Sequence, residues 1–289
     1  MQQPSDAQFQ YLSGQARPGF AQLLPHFEVL SALAASAGRL DIRYGEAERE
    51  CFDFFAAQGT PRATLVYFHA GYWQSRDKAM FRFIAPAFTR LGLHVALVNY
   101  PLCPHVSLAH LLDAARRAVL AVDAHAQGLQ PDGQSLPLLA CGHSAGAHIA
   151  VELALADGSN HAVPSRSIDG VVAISGVYDL APLLDTSLNT LLGLDADSAQ
   201  RYSPLGRVGP LAPPALFAVG ATETPAFLEQ SQAMHAAWLG AGHGSTLQLV
   251  ADTDHFTVLE QLVLTDSPLQ QSVVALVDQV VAAAAAKAI

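Results

Sequence analysis

Apolar and polar positions in this chain alternate in blocks. The runs ATLVYFHA (63–70), HVALVNY (94–100), LPLLACG (136–142), GVVAISG (170–176) and PALFAVG (214–220) are apolar almost throughout. Apolar runs this short, bounded by Gly, Pro or polar residues, suit strands that are covered on both faces. LDIRYG (40–45) and ECFDFFA (50–56) read as two earlier strands, and TLQLVAD (246–252) as a last one. Between most of these runs the period lengthens. Over 107–127, Leu108, Leu111, Leu112, Ala115, Val119 and Val122 recur at helical spacing.

Strands that alternate with helices pair in parallel through right-handed crossovers. The pattern therefore predicts an α/β fold: an open, mostly parallel sheet with helices on both faces. No repeat or low-complexity linker divides residues 1–289, which read as one domain. Residues 1–38 form a partly helical N-terminal extension in this reading. The stretch 179–210, with Pro182, Pro204 and Pro210 and no strand pattern, is the expected lid segment. The tail VVALVDQVVAAAAAKAI is interrupted by Asp278 and Gln279, so it reads as a packed helix, too short and too broken to span a bilayer.

Composition narrows the class. An apolar fraction of 51% supports a sizeable core. The net charge of −10 is scattered and no basic stripe exists, which argues against nucleic acid or an anionic membrane as partner; the acidic balance mainly suggests solubility. Cys51, Cys103 and Cys141 are odd in number and far apart, as expected of a reducing compartment. MQQPSDAQFQ carries no basic-then-apolar leader, so the expected location is cytoplasmic. The 12 histidines are dispersed, and His143 and His148 lack the HExxH arrangement. No metal or cofactor is implied.

The chemistry starts at CGHSAG. Gly142-His143-Ser144-Ala145-Gly146 has the form G-x-S-x-G, after an expected strand and before an expected helix. A sharp turn there projects a serine hydroxyl outward and needs small neighbours, because strand and helix backbones approach closely. The helix N-terminus behind it offers free N–H groups, so the N–H of Ala145 is an oxyanion donor. A serine needs a base. His255 follows the last expected strand, and Glu223 lies three residues past Gly220, with Asp252 and Asp254 as rival acids. His255 would take and return the proton while the acid orients its ring, so activity should rise with pH as the imidazole loses its proton. The loop FHAGYW supplies the other oxyanion donors, the N–H groups of Gly71 and Tyr72, with His69 in an orienting role. Tyr72, Trp73, Tyr178, Phe227 and Phe256 lie near strand ends and are expected to line an apolar pocket, and Asn189 is a candidate polar partner in the lid.

HAGYWQ, DKAMF (77–81), VALVNYPLCP (95–104), GHSAGAH (142–148), SGVYDL (175–180), ETPAFLEQS (223–231) and DHFTVLE (254–260) occur in that order. The set resembles the kynurenine formamidases (arylformamidases), α/β-hydrolases near the hormone-sensitive-lipase-like esterases. The resemblance implies Ser144 as nucleophile, His255 as base and N-formylkynurenine as substrate, with general carboxylesterase activity as the alternative. Two positions depart from it. Glu223 stands where the family usually has Asp, and Ala70 replaces the first glycine of HGGYW. If that position requires a positive φ, alanine costs about 1–2 kcal/mol.

Overall fold

The computed structural model describes residues 6–15, 19–131, 133–155 and 168–287. Its eight strands are β1 (Arg39–Arg43), β2 (Cys51–Phe55), β3 (Ala63–Phe68), β4 (Leu93–Val98), β5 (Leu138–His143), β6 (Gly170–Ile174), β7 (Ala215–Gly220) and β8 (Ser245–Val250). They form one sheet in the order β1-β2-β4-β3-β5-β6-β7-β8. Strands β3 to β8 pair in parallel, while β2 pairs antiparallel with both β1 and β4. All eight lie within two residues of the expected runs.

The continuous apolar runs have a direct cause. Along β3, Val66 and Phe68 enter one core, while Ala63, Leu65 and Tyr67 enter the other. The same alternation holds in β5, with Leu138 and Ala140 on one face and Leu139 and Cys141 on the opposite one. With both faces buried, neither set of alternate positions can be polar without loss.

Among the described residues, ten α-helices complete the fold. In chain order these are α1 (Ala7–Tyr11), α2 (Phe20–Ala35), α3 (Ala85–Thr89), α4 (Leu108–Gln127), α5 (Ala145–Leu155), α6 (Asn189–Leu192), α7 (Ala196–Arg201), α8 (Pro225–Gly240), α9 (Val258–Val263) and α10 (Pro268–Lys287). The first core gathers side chains of α4, α5 and α8 and of the segment 180–199, and the second those of α2, α3, α9 and α10. Ser107 caps α4, its Oγ accepting from His110 N, so this helix begins where the periodicity begins. The segment 179–210 holds no strand, as expected, but short helical turns.

Helix α10 is longer than the interrupted tail suggested. By length and composition alone it is the one helix among the described residues long and apolar enough to cross a membrane. Here it lays Leu269, Val273, Leu276, Val277 and Val280 on the second core.

The strand order reverses between β3 and β5: from β3 the chain passes to β4 on one side and later returns to β5 on the other. The crevice at the carboxyl ends of two such strands is where open α/β sheets bind ligands. The loops after β3 and β5 flank it.

Candidate active site

Ser144 is the residue between β5 and α5. Its φ is +57°, a left-handed conformation that is costly for a side chain larger than glycine. Bonds on both sides hold it there. Ser144 N donates to Ile174 O at 2.8 Å, and Ser144 O accepts from Ala147 N at 3.0 Å. The flanking glycines answer a steric demand. A Cβ on Gly142 would lie 2.1 Å from Gly146 O, and one on Gly146 would lie 1.9 Å from Phe68 O. Strand β5, helix α5 and the end of β3 are therefore in backbone contact around the serine. Ser144 keeps 2% of its surface exposed, and its Oγ has no hydrogen-bond partner among the described residues.

His255 lies after β8. His143 Nε2 donates to His255 O at 2.6 Å, which ties the backbone of one residue to the immediate neighbour of Ser144. Burial pushes the His143 pKa well below its ordinary value, so this ring is a neutral donor. His255 Nδ1 lies 2.7 Å from Glu223 Oε2. A carboxylate can only accept, so Nδ1 carries the proton and Nε2 keeps its lone pair. Glu223 Oε1 accepts from Ser175 Oγ at 2.5 Å and from Gly220 N at 2.8 Å. Both oxygens are thus held, and the extra methylene of Glu relative to Asp is absorbed in this cradle. The rival acids are engaged otherwise. Asp254 Oδ1 accepts from Phe256 N and Thr257 N, both at 2.9 Å, and Asp252 is exposed on the turn with φ +57°. Phe227 packs on the imidazole with ring centroids 4.4 Å apart.

The loop after β3 is built on positive φ angles: Gly71 +129°, Tyr72 +50°, Trp73 +61° and Arg76 +72°. Gly71 is required twice over, because a Cβ there would also lie 2.2 Å from Ser75 O. Ala70 is outside the left-handed region, so its methyl carries no backbone cost and packs into the second core. Among the described residues, the N–H groups of Gly71, Tyr72 and Ala145 meet no acceptor. These donors come from two chain segments, the loop after β3 and the start of α5, and free N–H groups of this kind can stabilise an anion.

Several buried polar groups fix this loop. His69 stacks on Tyr100 at 4.3 Å, and Tyr100 Oη donates to His69 O at 2.7 Å. Burial lowers the His69 pKa to about 4, which keeps it neutral. Arg49 Nη2 donates to Arg76 O at 2.8 Å, and Asn99 Nδ2 to Asp77 Oδ2 at 2.6 Å. Asp77 Oδ1 in turn caps the 3-10 turn Lys78–Ile84 through Ala79 N. Lys78 reaches the fully buried Asp53 at 2.7 Å, and Arg82 reaches the same carboxylate at 2.6 Å. The DKAMF motif is thus the anchor of the loop.

The aromatic pocket expected from sequence needs correction. Trp73, Tyr178 and Phe227 have no exposed surface and belong to the first core. Trp73 packs edge-on against His148 and Tyr178 edge-on against Phe217, so neither offers a free face. Phe227 serves as backing for the imidazole. Asn189 does not reach the site either: its side chain closes a local turn, donating to Leu194 O and accepting from Leu194 N. Only Tyr72 and Phe256 of the expected five remain partly open.

The N-terminal residues contribute what no local pattern announced. Tyr72 Oη donates to Tyr11 O, and Gln15 Nε2 donates to Thr224 Oγ1, next to Glu223, at 2.7 Å. Phe20 packs on Phe256 at 4.5 Å. Ser175 and His143 were missed as partners of the acid and the base. Both lie inside the motifs SGVYDL and GHSAGAH, and the resemblance those motifs carry was the available signal.

Comparison with known proteins agrees with this fold. Residues 65–259 match the family described as alpha/beta hydrolase fold. A kynurenine formamidase of Danio rerio is 34% identical over 78% of this chain and 76% of its own. The kynurenine formamidase of Salmo salar is 33% identical over 80% and 79%. Among solved structures, a candidate thioesterase of Silicibacter sp. TM1040 superposes with a TM-score of 0.78 at 31% identity, covering 90% of this chain and 95% of that one.

Proposed function

The chain belongs to the α/β-hydrolase fold family, among the kynurenine formamidase homologues, and from that premise we propose that it hydrolyses N-formylkynurenine to kynurenine and formate. Ser144, His255 and Glu223 act as nucleophile, base and orienting acid. His255 Nε2 takes the Ser144 Oγ proton as Oγ adds to the formyl carbon. The oxyanion accepts from the N–H groups of Gly71, Tyr72 and Ala145. The C–N bond then breaks, the imidazolium returns its proton to the departing arylamine nitrogen, and a formyl ester remains on Ser144. Water, deprotonated by His255, attacks this ester; formate leaves and Oγ regains its proton.

The observation that carries the reading is an imidazole braced by Glu223, together with a serine held at positive φ between β5 and α5 and N–H groups of the neighbouring loop that meet no acceptor among the described residues. An arylamine leaves more readily than an alkylamine, and a one-carbon acyl group suits a hydroxyl with so little open surface. The three cysteines are free and buried, which suits action in the cytoplasm. Purified protein should release formate from N-formylkynurenine, and Ser144→Ala should remove nearly all turnover. A Ser144→Ala variant that retains wild-type turnover refutes the assignment. A second reading, hydrolysis of esters or thioesters, is favoured by the Silicibacter relative. A kcat/KM for p-nitrophenyl acetate well above that for N-formylkynurenine would select it.

A further inference from the structure

Arg76 is an unusual cation. Its backbone sits at φ +72°, held there by Arg49, which donates to its carbonyl, and by the capping carboxylate of Asp77 next door. Its side chain is partly buried, yet among the described residues it forms neither a hydrogen bond nor an ion pair. The guanidinium lies over the ring of Phe256, its carbon 5.4 Å from the ring centroid. That ring stands edge-on to His255 at 5.0 Å and lies 5.9 Å from His143. Phe256 also packs against Phe20 of α2, an apolar side chain. Burial lowers the Arg76 pKa; Tyr100 and Tyr67 offset part of that, and no carboxylate takes part.

A strained backbone that is fixed from several sides and presents an unpaired cation is a mark of a binding function. An Arg that serves stability finds a carboxylate or a carbonyl, because leaving its donors unmade in a partly dry site is costly. Here the unpaired guanidinium lies over a ring that itself packs against the imidazole. Guanidinium geometry matches a carboxylate through two parallel N–H donors.

We infer that Arg76 is a specificity residue that binds the carboxylate at the amino-acid end of the substrate, while the formyl end lies at Ser144. The inference rests on the aryl formamide reading for the identity of the substrate, and Phe256 then serves as the platform between the two ends.

The test compares wild type, Arg76→Gln and Arg76→Lys on N-formylkynurenine and on N-formylkynuramine, which lacks only the carboxylate. Wild type should favour the carboxylate substrate in kcat/KM by about 10- to 100-fold, mostly through KM, as a charge-assisted pair allows. Arg76→Gln should lose that preference while its kcat on N-formylkynuramine stays within about two-fold of wild type. Arg76→Lys should regain part of it. Because each readout is a ratio of two substrates on one preparation, partial misfolding does not move it. No preference in wild type, or an equal loss on both substrates in Arg76→Gln, overturns the assignment. If wild type hydrolyses neither formamide, the proposed substrate falls, and 4-acetoxybenzoate against phenyl acetate decides for Arg76. A preference for the anion that Arg76→Gln abolishes supports the assignment, and its absence refutes it.

Discussion

Replacing Gly146 with alanine should damage catalysis more than stability. The new methyl would lie 1.9 Å from Phe68 O, 2.5 Å from Phe68 C and 2.9 Å from His69 O. All three atoms are backbone at the end of β3, so no side chain can swing aside. Helix α5 and the end of β3 must separate by about 1.5 Å to reach an ordinary contact, and a displacement of even about 1 Å near reacting groups typically costs about 10²-fold in rate. The separation pulls the N–H of Ala145 away from those of Gly71 and Tyr72, which sit on the opposing segment. The stability cost is that of overpacking, about 1–3 kcal/mol. At roughly 2–4 °C per kcal/mol for a chain of this size, the melting temperature should fall by several degrees. The assay is kcat on N-formylkynurenine with thermal unfolding on the same preparation. Gly206→Ala is the control, since nothing lies within 4 Å of its Cβ position. Wild-type kcat in Gly146→Ala would refute both the close approach of backbones and its role in placing the donors.

Three further outcomes follow from the same geometry. Glu223→Gln keeps an oxygen for Ser175 and Gly220 but no longer holds the Nδ1–H tautomer, so kcat should fall by about 10³–10⁴-fold with a nearly unchanged melting temperature; wild-type turnover would exclude Glu223 as the orienting acid. Lys78→Met leaves the fully buried Asp53 with Arg82 and the N–H of Asp41, and since one counter-charge remains it should cost about 1–3 kcal/mol in urea unfolding, no measurable loss being the contrary result. His69 and His148 are buried, with pKa values lowered from 6.5 to about 4. Between these values the unfolded chain binds more protons, so their contribution to stability is lost as pH falls from 6.5 to 4 and is flat above 6.5. Thermal melts across that range should be steeper for wild type than for His148→Gln, and equal slopes would count against it.

The strands were legible because burial on both faces leaves no choice of residue: every position of β3 to β7 is buried, and each therefore appears as an apolar run. The elbow was legible for a related reason, since its glycines answer a local collision between adjacent segments. The pocket was not. Trp73 and Phe256 are both aromatic residues in loops at strand ends, yet one is sealed against His148 and the other keeps an open edge. Composition and spacing are the same in both cases; only the packing of distant segments separates them.

By itself, then, the sequence determined the alternation of strands and helices, the turn at Ser144 and the order in which base and acid follow, because each depends on residues close in the chain or on a face that must be dry. The tertiary structure alone decided that Glu223 rather than Asp252 or Asp254 reaches His255, that Ser175 and His143 brace the pair, and that Tyr11 and Phe20 close over it. Those contacts join segments as far apart in the chain as Phe20 and Phe256, and their partners are set by where the sheet delivers each strand end, which no local pattern encodes.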